Sequence, residues 1–534
     1  MKRRLPIGIQ NFTKIREGGY VYVDKTEQLY RLITGSSAAS FLSRPRRFGK
    51  SLLCSTMEAI FEGRRELFAE IEGFPALAIN SLEWVWEKHP VIRLDLNAGA
   101  YSQGVEALHS VLYSELQAQS EKFGIVLEKT DAISQFKYLI RKASEKIGQK
   151  AVVIVDEYDK PMLETIDNPS LHVQIRNELK GFYGVLKSYD AYLRFVFLTG
   201  VSKFSHVSIF SDLNQLTDLT LDQRYADICG ITQEELDNNF KPEIESILKE
   251  TGKNRNDYSE DLRLFYNGYR FSKKLLKVYN PFSLLKHFDK DGEFLSYWYE
   301  TGTPTFLVKM IINQKLNIMN LNNMQVGDRD FQKYDIENMR AEPLLYQSGY
   351  LTIKDYDEEA GLYTLDFPNL EVRSCFANSL LDQYLQPNET ADSLNNRLLQ
   401  ALLKGNIEDA INALRRFFAS IPYDIINPSE NYYETAVHLI FTMLGFNCRS
   451  EVRIASGRID ALVETKNFVY CFEFKLDKTA EEALAQIDTK EYMLPWEGSP
   501  SHGGSGKKLF KIGVNFDHEK RNIGSWKTDN GAED

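Results

Sequence analysis

Cysteine is scarce in this chain, and long apolar runs are missing. The five cysteines among 534 residues lie far apart and form no CxxC pair, which excludes a disulfide framework and a zinc ribbon and fits a reducing cytoplasm. No run reaches the roughly 18 apolar residues of a membrane-spanning helix, and the basic N-terminal residues are not followed by the apolar part of a signal peptide. The sequence therefore predicts a cytoplasmic protein that does not cross a membrane.

An excess of positive charge is also lacking. The 64 Lys and Arg residues are outnumbered by 75 Asp and Glu residues, which gives a formal net charge of -11. Such a chain does not coat nucleic acid through bulk charge, so any nucleic-acid site has to be a local basic surface. The eight histidines form no HExxH pair and no GxSxG sequence occurs, which leaves metalloprotease and serine-hydrolase chemistry without support.

The composition is that of a folded protein, with 43% hydrophobic and 26% charged residues. A chain this long exceeds one ordinary core, so several domains are expected. We predict domains at residues 1–220, 221–396 and 397–534. The last boundary follows the polar segment "LQPNETADSLNNR", which carries a proline.

Residues 38–220 alternate continuous apolar runs with helix-like segments. The runs "AASFLS", "VIRLDL", "AVVIVDE" and "LRFVFLTG" predict buried strands of a parallel sheet covered on both faces, which is an α/β fold. Because the first of these runs leads into "SRPRRFGKS", which ends in Gly-Lys-Ser, we expect this part to be a P-loop NTPase sheet.

The region 221–396 is rich in helix signals and in Tyr and Phe. Within it, a helix followed by the hairpin strands "YLTIKDY" and "LYTLDF" suggests a winged-helix module. Such modules can read DNA, but this wing carries Asp355, Asp357, Glu358 and Glu359, which would repel phosphates. Packing or interdomain contact is therefore favoured over DNA reading.

The segment "SRPRRFGKS" ends like a phosphate-binding loop. A strand precedes it and the amphipathic segment "SLLCSTMEAIFEG" follows, as a P-loop requires. Gly49, Lys50 and Ser51 form the last turn of the loop. Lys50 supplies the ammonium that binds phosphate, and Ser51 supplies a hydroxyl for Mg²⁺. A basic turn before a helix is the plain alternative, because Gly-Lys-Ser alone is common.

The loop departs from GxxxxGK[ST] at its first position. Arg44 replaces the first glycine, and Pro45 restricts it to extended conformations, so the loop could leave the strand differently. Together with Arg44, the side chains of Arg46 and Arg47 could add positive charge around a triphosphate, since Arg makes bidentate phosphate contacts.

The run "AVVIVDEYDK" supplies an acidic pair about a hundred residues later. A buried strand that ends in Asp156 and Glu157 brings both acids beside the P-loop, where Asp156 can hold Mg²⁺ and Glu157 can polarise the attacking water. The alternative is a core strand that merely emerges into a polar turn. A third strand ends at Thr199, with Ser202 soon after, and either residue is a γ-phosphate sensor or a strand-terminal cap.

A second constellation lies near the C-terminus, in "GRIDALVETKNFVYCFEFKLD". The two-residue period of a strand places Glu473 and Lys475 on one face, opposite Phe472 and its aromatic neighbours. A hairpin-like turn can bring Asp460 alongside Glu473. Two carboxylates and a lysine can bind Mg²⁺ and lower the pKa of a bound water. An ordinary surface Glu/Lys pair is the alternative.

Further polar residues flank this pair of strands. Glu430 and Glu434 precede and begin the helical segment "YYETAVHLIFTMLGF", and either could add a carboxylate to the metal site. Gln486 lies in the following helix and either orients metal-bound water or is simply solvated.

These segments resemble a widespread family of bacterial proteins with an AAA-ATPase-like N-terminal domain and a C-terminal PD-(D/E)XK nuclease-superfamily domain of restriction-endonuclease-like α/β fold. The resemblance covers nearly the whole chain, through "YVYVDKTEQLYRLI", "FLSRPRRFGKSLL", "VVIVDEYDKP", "FLTGVSKFS", "FYNGYRF", "YNPFSLL", "GRIDALVET", "FEFKLD", "EEALAQI" and "KIGVNFD". The form Arg-Pro-Arg-Arg-Phe-Gly-Lys-Ser looks customary in that family.

The resemblance implies roles for individual residues. Lys50 and Ser51 would contact nucleotide, and Asp156 and Glu157 would be the acidic pair. Asp460, Glu473 and Lys475 would form the nuclease core, with Glu430 as the better match to the helix carboxylate and Gln486 as an auxiliary residue. "YVDKT", which contains Asp24, Lys25 and Thr26, would border the nucleotide base.

We therefore expect an ATPase whose nucleotide state controls a Mg²⁺-dependent nuclease that acts on nucleic acid, with DNA favoured. ATP and Mg²⁺ are the expected cofactors, and homo-oligomerisation is left open. The rival hypothesis is a non-enzymatic switch, in which ATP binding changes an interaction surface and the nuclease-like domain only docks onto nucleic acid or a partner.

Overall fold

The computed structural model describes residues 3–71, 73–128, 130–203, 210, 215–298, 324–327, 341–381, 391–420, 437, 440, 448–454, 457–498 and 506–530. These residues form two compact units, the first ending at Asn369 and the second beginning at Leu370. Within the described residues, no helix is both long enough and apolar enough to cross a membrane. The boundaries near residues 220 and 396 stay predictions.

Five strands form the central sheet of the first unit. They are β1 (Ala39–Ser43), β2 (Val91–Asp95), β3 (Ala151–Asp156), β4 (Leu193–Gly200) and β5 (Leu216–Asp218). Their order is β2-β3-β4-β1-β5, and every neighbouring pair is parallel. The predicted α/β fold is confirmed, although the apolar pattern did not indicate the short edge strand β5.

Burial on both faces explains the composition of these strands. Every residue of β1 and β3 is buried, because helices cover both faces of a parallel sheet and its strands carry continuous apolar runs. β4 separates β1 from β3 in the sheet. The carboxyl ends of parallel strands meet at one edge, so the loop after β1 and the residues after β3 lie at that same edge.

Helices surround this sheet and continue beyond it. They are α1 (Phe12–Glu17), α2 (Thr26–Thr34), α3 (Lys50–Phe61), α4 (Val105–Phe123), α5 (Ala132–Ile147), α6 (Lys160–Glu164), α7 (Pro169–Ser188), α8 (Gln233–Asn239), α9 (Lys241–Thr251), α10 (Arg255–Tyr266) and α11 (Pro281–Asp289). Helix α5 begins after Asp131, whose side chain accepts a hydrogen bond from the N–H of Ser134. Such N-caps satisfy N–H groups that the helix leaves unpaired.

The predicted hairpin is confirmed in the same unit. Helix α12 (Ala341–Ser348) precedes β7 (Thr352–Asp357) and β8 (Leu362–Asp366), and β6 (Met324–Gly327) pairs with β8 as a third strand that the sequence did not predict. Arg270 donates from its guanidinium to the carbonyl oxygen of Lys354 (3.1 Å) and from its N–H to the Thr352 hydroxyl (2.7 Å). The wing therefore packs against the residues before α11, as the packing interpretation predicts.

The second unit is built on a mixed sheet. Its strands are β9 (Cys448–Ile454), β10 (Gly457–Glu464), β11 (Phe468–Leu476), β12 (Lys508–Asp517) and β13 (Asn522–Asn530). Their order is β13-β12-β11-β10-β9, with only β11 and β12 parallel. Its helices are α13 (Leu370–Leu381), α14 (Ala391–Leu403), α15 (Ile407–Ser420) and α16 (Ala480–Thr489).

The two faces of β11 differ as the sequence predicts. Tyr470, Phe472 and Phe474 stack in sequence on one face, with ring centroids 6.4 Å and 6.0 Å apart. On the other face, Val469 and Cys471 pack in a cluster with Ile487 of α16. The alternation leaves Glu473 and Lys475 on the α16 side of the strand.

Candidate nucleotide and nuclease sites

The loop after β1 enters α3 through unusual backbone conformations. Gly49 caps the helix with φ +89°, a left-handed conformation that costs glycine little. Arg47 also has a positive φ of +68°, which is uncommon for a residue with a Cβ. Strain of this kind is retained where the surrounding structure holds it, often at ligand sites. The loop thus presents the N-terminus of α3, which favours negatively charged ligands.

Lys50 lies inside this loop and is only 4% exposed. Its ammonium donates to the carbonyl oxygens of Arg44 (3.1 Å) and Pro45 (3.2 Å). Its Nζ is also 3.5 Å from Oε1 of Glu157. The loop and the acidic pair after β3 therefore meet at Lys50, as the sequence predicts.

Asp156 at the end of β3 is fully buried. Its Oδ1 accepts the N–H of Glu157 (3.1 Å), whereas Oδ2 accepts no hydrogen bond from any described residue. The nearest cation to Oδ2 is the guanidinium of Arg93, at 3.9 Å. Burial and the charge of Glu157 raise the pKa of Asp156 to about 6, against the opposing effects of Ser51 and Lys50. Oδ2 of Asp156 is thus a buried carboxylate oxygen without a hydrogen-bond donor among the described residues, and Asp156 lies beside Ser51. Such an oxygen is suited to a divalent cation or to a water bound to that cation.

A cavity of about 310 Å³ opens in front of the loop. Lys50 and Glu157 line it, as do Arg46 and Arg47. Helix α11 contributes Pro281, Phe282 and Leu285 to the opposite wall. Three cations around one cavity at a helix N-terminus suit a polyphosphate.

The three arginines of the loop have different surroundings. Arg44 is buried and is not among the cavity-lining residues; its guanidinium donates to the carbonyl oxygens of Ser43, Thr220 and Tyr225, each at 2.9 Å. The guanidinium also lies 4.3 Å from the ring centroid of Phe271. The expectation that Arg44 adds charge around a triphosphate is therefore wrong, because its side chain ties the end of β1 to the chain after β5.

Arg46 and Arg47 remain at the cavity. Arg47 lies over the ring of Phe282 (3.7 Å to the centroid) and donates to the carbonyl oxygen of Tyr297 (3.1 Å). Arg46 has no hydrogen-bond or ion-pair partner among the residues that the structure describes. It is the loop cation that a ligand can engage without breaking a described contact.

The residues after β4 have structural partners. Thr199 donates to the carbonyl oxygen of Leu42 (2.8 Å), and the Ser202 hydroxyl donates to Asp159 (2.6 Å). Lys203 forms an ion pair with Asp218 (2.5 Å). These contacts match the strand-cap alternative rather than a γ-phosphate sensor.

An apolar slot of about 90 Å³ adjoins the cavity and shares Gly49, Leu52 and Leu285 with it. It is lined mainly by residues from the segment before α2, from the P-loop and from the chain before α8, namely Val21, Tyr22, Val23, Lys25, Phe48, Leu53, Ile228, Cys229, Gly230 and Ile231. Lys25 donates to both carboxylate oxygens of Glu235 (2.5 and 2.7 Å). An apolar slot next to a polyphosphate cavity suits a nucleotide base.

The rest of "YVDKT" supports the backbone around the slot. Asp24 accepts the N–H groups of Thr26 and Ala78, at 2.8 and 2.6 Å. The Thr26 hydroxyl accepts the N–H of Ile79 (3.0 Å). Of the three residues named from the resemblance, Lys25 lines the slot, whereas Asp24 and Thr26 anchor the segment that carries it.

The second unit brings its two carboxylates together. Ala461 of β10 lies opposite Phe472 of β11, so Asp460 and Glu473 are adjacent across the ladder. Oδ2 of Asp460 accepts the N–H of Phe474 (2.9 Å), which fixes that carboxylate against β11. Glu473 is 1% exposed, and a buried carboxylate needs a cation or donors to remain ionised.

Lys475 and Gln486 supply donors to Glu473. The Lys475 ammonium lies 2.9 Å from Oε1 of Glu473. The side-chain amide of Gln486 donates to the same oxygen and lies 3.3 Å from the Tyr492 hydroxyl. Burial would lower the pKa of Lys475, but the hydrogen bond to Glu473 and the charges of Glu473 and Asp460 raise it above its ordinary value. Lys475 is thus an ammonium at neutral pH, and Gln486 contacts the site rather than solvent alone.

The remaining carboxylates named from the sequence, Glu430 and Glu434, lie outside the described residues. Within the described ranges, no group of three or more His, Cys, Asp or Glu side chains is arranged around a metal position. The two adjacent carboxylates nevertheless provide the oxygen ligands that Mg²⁺ prefers. The donor chemistry of Asp460 and Glu473 therefore fits a divalent cation.

Two residues of the first site, Arg93 and Phe282, were not predicted from the sequence. Arg93 donates from β2 towards Glu58 and the carbonyl oxygen of Ser51 (3.4 Å each) and faces Asp156. A charged residue within the apolar run "VIRLDL" is the signal that could have identified it, since buried arginines are rare without partners. Phe282 reaches the cavity from a distant helix, and no local pattern announces that contact.

Fold and site together define the class of the protein. A parallel sheet with a phosphate-binding loop after β1 and an acidic pair after β3 is the arrangement of a P-loop ATPase-like domain. A mixed sheet with Asp460, Glu473 and Lys475 on adjacent strands is that of a nuclease-like domain.

Comparisons with known proteins agree with both assignments. Residues 6–210 match the family model described as "Predicted AAA-ATPase", and residues 428–526 match the model of the "PD-(D/E)XK nuclease superfamily". The "Uncharacterized protein in vnfD 5'region" of Azotobacter chroococcum mcd 1 is 36% identical over 533 residues, which cover 98% of each chain. The chain belongs to this bacterial family, which joins an AAA-ATPase-like domain to a PD-(D/E)XK nuclease-superfamily domain.

Proposed function

We propose that this protein binds and hydrolyses ATP, and that its nucleotide state controls a Mg²⁺-dependent nuclease that acts on DNA. The observation that carries the ATPase part is the convergence of Lys50, Arg46 and Arg47 on one cavity, opposite Glu157. The apolar slot beside that cavity supports a bound base as well as phosphates.

In the proposed ATPase reaction, Lys50 exchanges its contacts with the loop carbonyls and Glu157 for the β- and γ-phosphates. Glu157, released from Lys50, accepts a proton from the attacking water. The water oxygen bonds to the γ-phosphorus as the bond between that phosphorus and the bridging oxygen breaks, and the products are ADP and phosphate. Arg46 offsets negative charge on the phosphates, and Gly49 allows their close approach to the backbone.

Divalent ions belong to both proposed sites. Ser51 and Asp156 would hold one ion, and Asp460, Glu473 and Glu430 would hold the other. Mg²⁺ bound there would supply charge neutralisation of phosphates at the first site and activation of water at the second. Lys475, held as an ammonium, positions the nucleophilic water and offsets charge on the phosphodiester. Gln486 keeps Glu473 in the orientation that this requires.

The alternative function is a nucleotide-dependent switch in which the nuclease-like domain docks without cleaving. A missing carboxylate or lysine would favour it. Asp460, Glu473 and Lys475 are all present; Asp460 is adjacent to Glu473 across the ladder, and Lys475 is paired with Glu473, so we favour the enzyme.

The test measures ATP hydrolysis together with Mg²⁺- or Mn²⁺-dependent cleavage of several DNA and RNA forms. Wild type is compared with Lys50→Ala and Asp460→Ala. We expect Lys50→Ala to lose ATP turnover and Asp460→Ala to lose cleavage while keeping ATP turnover.

Two outcomes would refute the parts separately. Unchanged ATP turnover in Lys50→Ala would refute the P-loop assignment. Absence of cleavage by wild type under every nucleotide condition would refute the nuclease and leave the switch as the better account.

A further inference from the structure

A polar groove follows the helical hairpin of the second unit. It lies between α14 and α15 and has a volume of about 420 Å³. The hairpin precedes residues 428–526, which match the nuclease model. The groove is lined by Asn396, Arg397, Gln400 and Ala401 from α14, by Lys404 directly after that helix, and by Asp409, Asn412, Ala413 and Arg416 from α15.

One side of the hairpin is fixed to the aromatic face of the sheet. Tyr470 of β11 donates to the carbonyl oxygen of Leu402 (2.6 Å), and Arg415 donates to that of Gly524 (3.3 Å). The rings of Phe418 and Phe516 are 4.9 Å apart. The hairpin therefore covers the face of β11 opposite α16, and its groove is separate from Glu473 and Lys475.

The charges in the groove are unbalanced. The described lining residues include three cations and one carboxylate, and that carboxylate, Asp409, already accepts a hydrogen bond from the Asn406 side chain (2.6 Å). Lys404 and Arg416 are exposed, and neither side chain has a hydrogen-bond or ion-pair partner among the described residues. In a chain with a net charge of -11, this is the kind of local basic surface that nucleic-acid binding requires.

The other lining residues favour a phosphate backbone over a peptide or a base. Asn396, Gln400 and Asn412 can donate to phosphate oxygens, and Ala401 and Ala413 are the purely apolar side chains among the described lining residues. Among the described lining residues none is aromatic, so these residues offer no platform for base stacking. Contacts of this type hold a nucleic acid without reading its sequence.

The length of the groove also fits several nucleotides. From Asn396 to Leu403, where α14 ends, the helix rises about 10 Å at ~1.5 Å per residue. One DNA strand advances ~3.4 Å per phosphate along the helix axis. The groove therefore spans roughly three to four phosphates.

We propose that this groove binds the phosphodiester backbone of DNA at a position remote from the cleaved bond. Lys404 and Arg416 pair with phosphates, and the amides add sequence-independent hydrogen bonds. The inference rests on the proposed function in one respect, since the DNA is the same substrate.

The test measures binding of a short fluorescein-labelled duplex DNA to the full-length protein in EDTA, at several salt concentrations. The variants are Lys404→Glu, Arg416→Glu and the charge-conserving Lys404→Arg. Lys466→Glu is the matched control, because Lys466 is exposed in the turn between β10 and β11 of the same unit.

Each charge reversal in the groove, Lys404→Glu or Arg416→Glu, should weaken DNA binding by at least fivefold at about 0.15 M salt. It should also reduce the slope of log affinity against log salt concentration by ~0.9, the contribution of one phosphate contact. Lys404→Arg and Lys466→Glu should bind like wild type. Equal binding by all variants, or binding of a poly-glutamate peptide instead of DNA, would overturn the proposal.

A parallel cleavage assay in Mg²⁺ separates this proposal from the proposed function. Groove-dependent binding without any cleavage by wild type would support the groove and refute the nuclease. Cleavage by wild type with unchanged DNA binding in both groove reversals would refute only the groove.

Discussion

The P-loop site and the nuclease-like site use the same residue types for opposite purposes. Each contains a lysine beside a glutamate, with N–O distances of 3.5 Å for Lys50 and Glu157 and 2.9 Å for Lys475 and Glu473. At the P-loop, further cations and a helix N-terminus surround that pair, which suits a polyanion. In the second unit, a further carboxylate and an amide surround it, which suits a cation.

The difference shows that a lysine–glutamate contact does not define a function. Lys50 is held by carbonyl oxygens that a phosphate can replace. Glu473 is held by donors that keep a carboxylate oriented. The residues around each pair decide whether the lysine or the glutamate gives up its contact with the other in order to bind a ligand.

The largest expected effect is that of Glu157→Gln on ATP hydrolysis. The amide cannot accept a proton from water, so kcat should fall by roughly 10²- to 10⁴-fold, while Lys50 and Arg46 still bind ATP. Steady-state phosphate release and equilibrium ATP binding are the two measurements. The same change at the exposed Glu145 of α5 is the control, and turnover near the wild-type rate in Glu157→Gln would remove Glu157 from the mechanism.

Next is Arg44→Gly, which restores the glycine of GxxxxGK[ST]. It should lower the free energy of unfolding by roughly 3–5 kcal/mol, because three buried carbonyl oxygens lose their donors. ATP should bind no more tightly. Urea unfolding and ATP titration check both statements.

Arg46→Gly is the matched comparison in the same loop. It should weaken ATP binding with a smaller loss of stability, since Arg46 has no described partner to lose. If Arg44→Gly were as stable as wild type and bound ATP more tightly, the anchoring role of Arg44 would be wrong.

Acid should destabilise the unit that holds the P-loop through His287. This ring is buried, with Nε2 2.7 Å from the Tyr258 hydroxyl and Nδ1 2.9 Å from the carbonyl oxygen of Glu293. Burial lowers its pKa from 6.5 to about 4. The unfolded chain therefore binds the proton first, and stability present above pH 6.5 is lost as the pH falls towards 4, by roughly 3 kcal/mol.

Unfolding free energies of wild type and His287→Gln at several pH values measure this contribution. The difference in stability between the two proteins should shrink as the pH falls through that window. A constant difference between wild type and His287→Gln would contradict the prediction.

The smallest expected effect is that of Gln486→Ala at the nuclease-like site. Loss of the amide frees Glu473 to rotate, and outer contacts of this kind are typically worth 10- to 100-fold in metal affinity. Cleavage rates as a function of Mn²⁺ concentration should shift by about that factor. Lys490→Ala changes an exposed residue at the end of α16 and should leave the Mn²⁺ dependence of cleavage unchanged. If Gln486→Ala also leaves it unchanged, Gln486 is only a solvated residue.

Local patterns predicted the parts of the fold that depend on neighbouring residues. The two-residue period of β11 placed Glu473 with Lys475, because alternation is a property of any strand. The apolar runs predicted β1 to β4, because strands buried on both faces are continuous in composition. The edge strands β5, β9 and β13 carry weaker apolar patterns, and their existence depends on pairing with strands elsewhere in the chain.

The role of Arg44 could not be predicted for a similar reason. Two of its three acceptors, Thr220 and Tyr225, lie 176 and 181 residues away in sequence. The pattern around "SRPRRFGKS" shows only a missing glycine, three arginines and a lysine. Which cation faces phosphates and which anchors the fold depends on contacts that form in the folded chain.

The central claim is that nucleotide at the first site controls cleavage at the second. The direct measurement is the initial rate of Mg²⁺-dependent DNA cleavage without nucleotide, with ADP and with ATP, for wild type and Glu157→Gln. The initial rate of DNA cleavage should differ between ATP and ADP. Glu157→Gln with ATP should keep the cleavage rate of the ATP-bound protein. Equal cleavage rates in all three nucleotide conditions would contradict it.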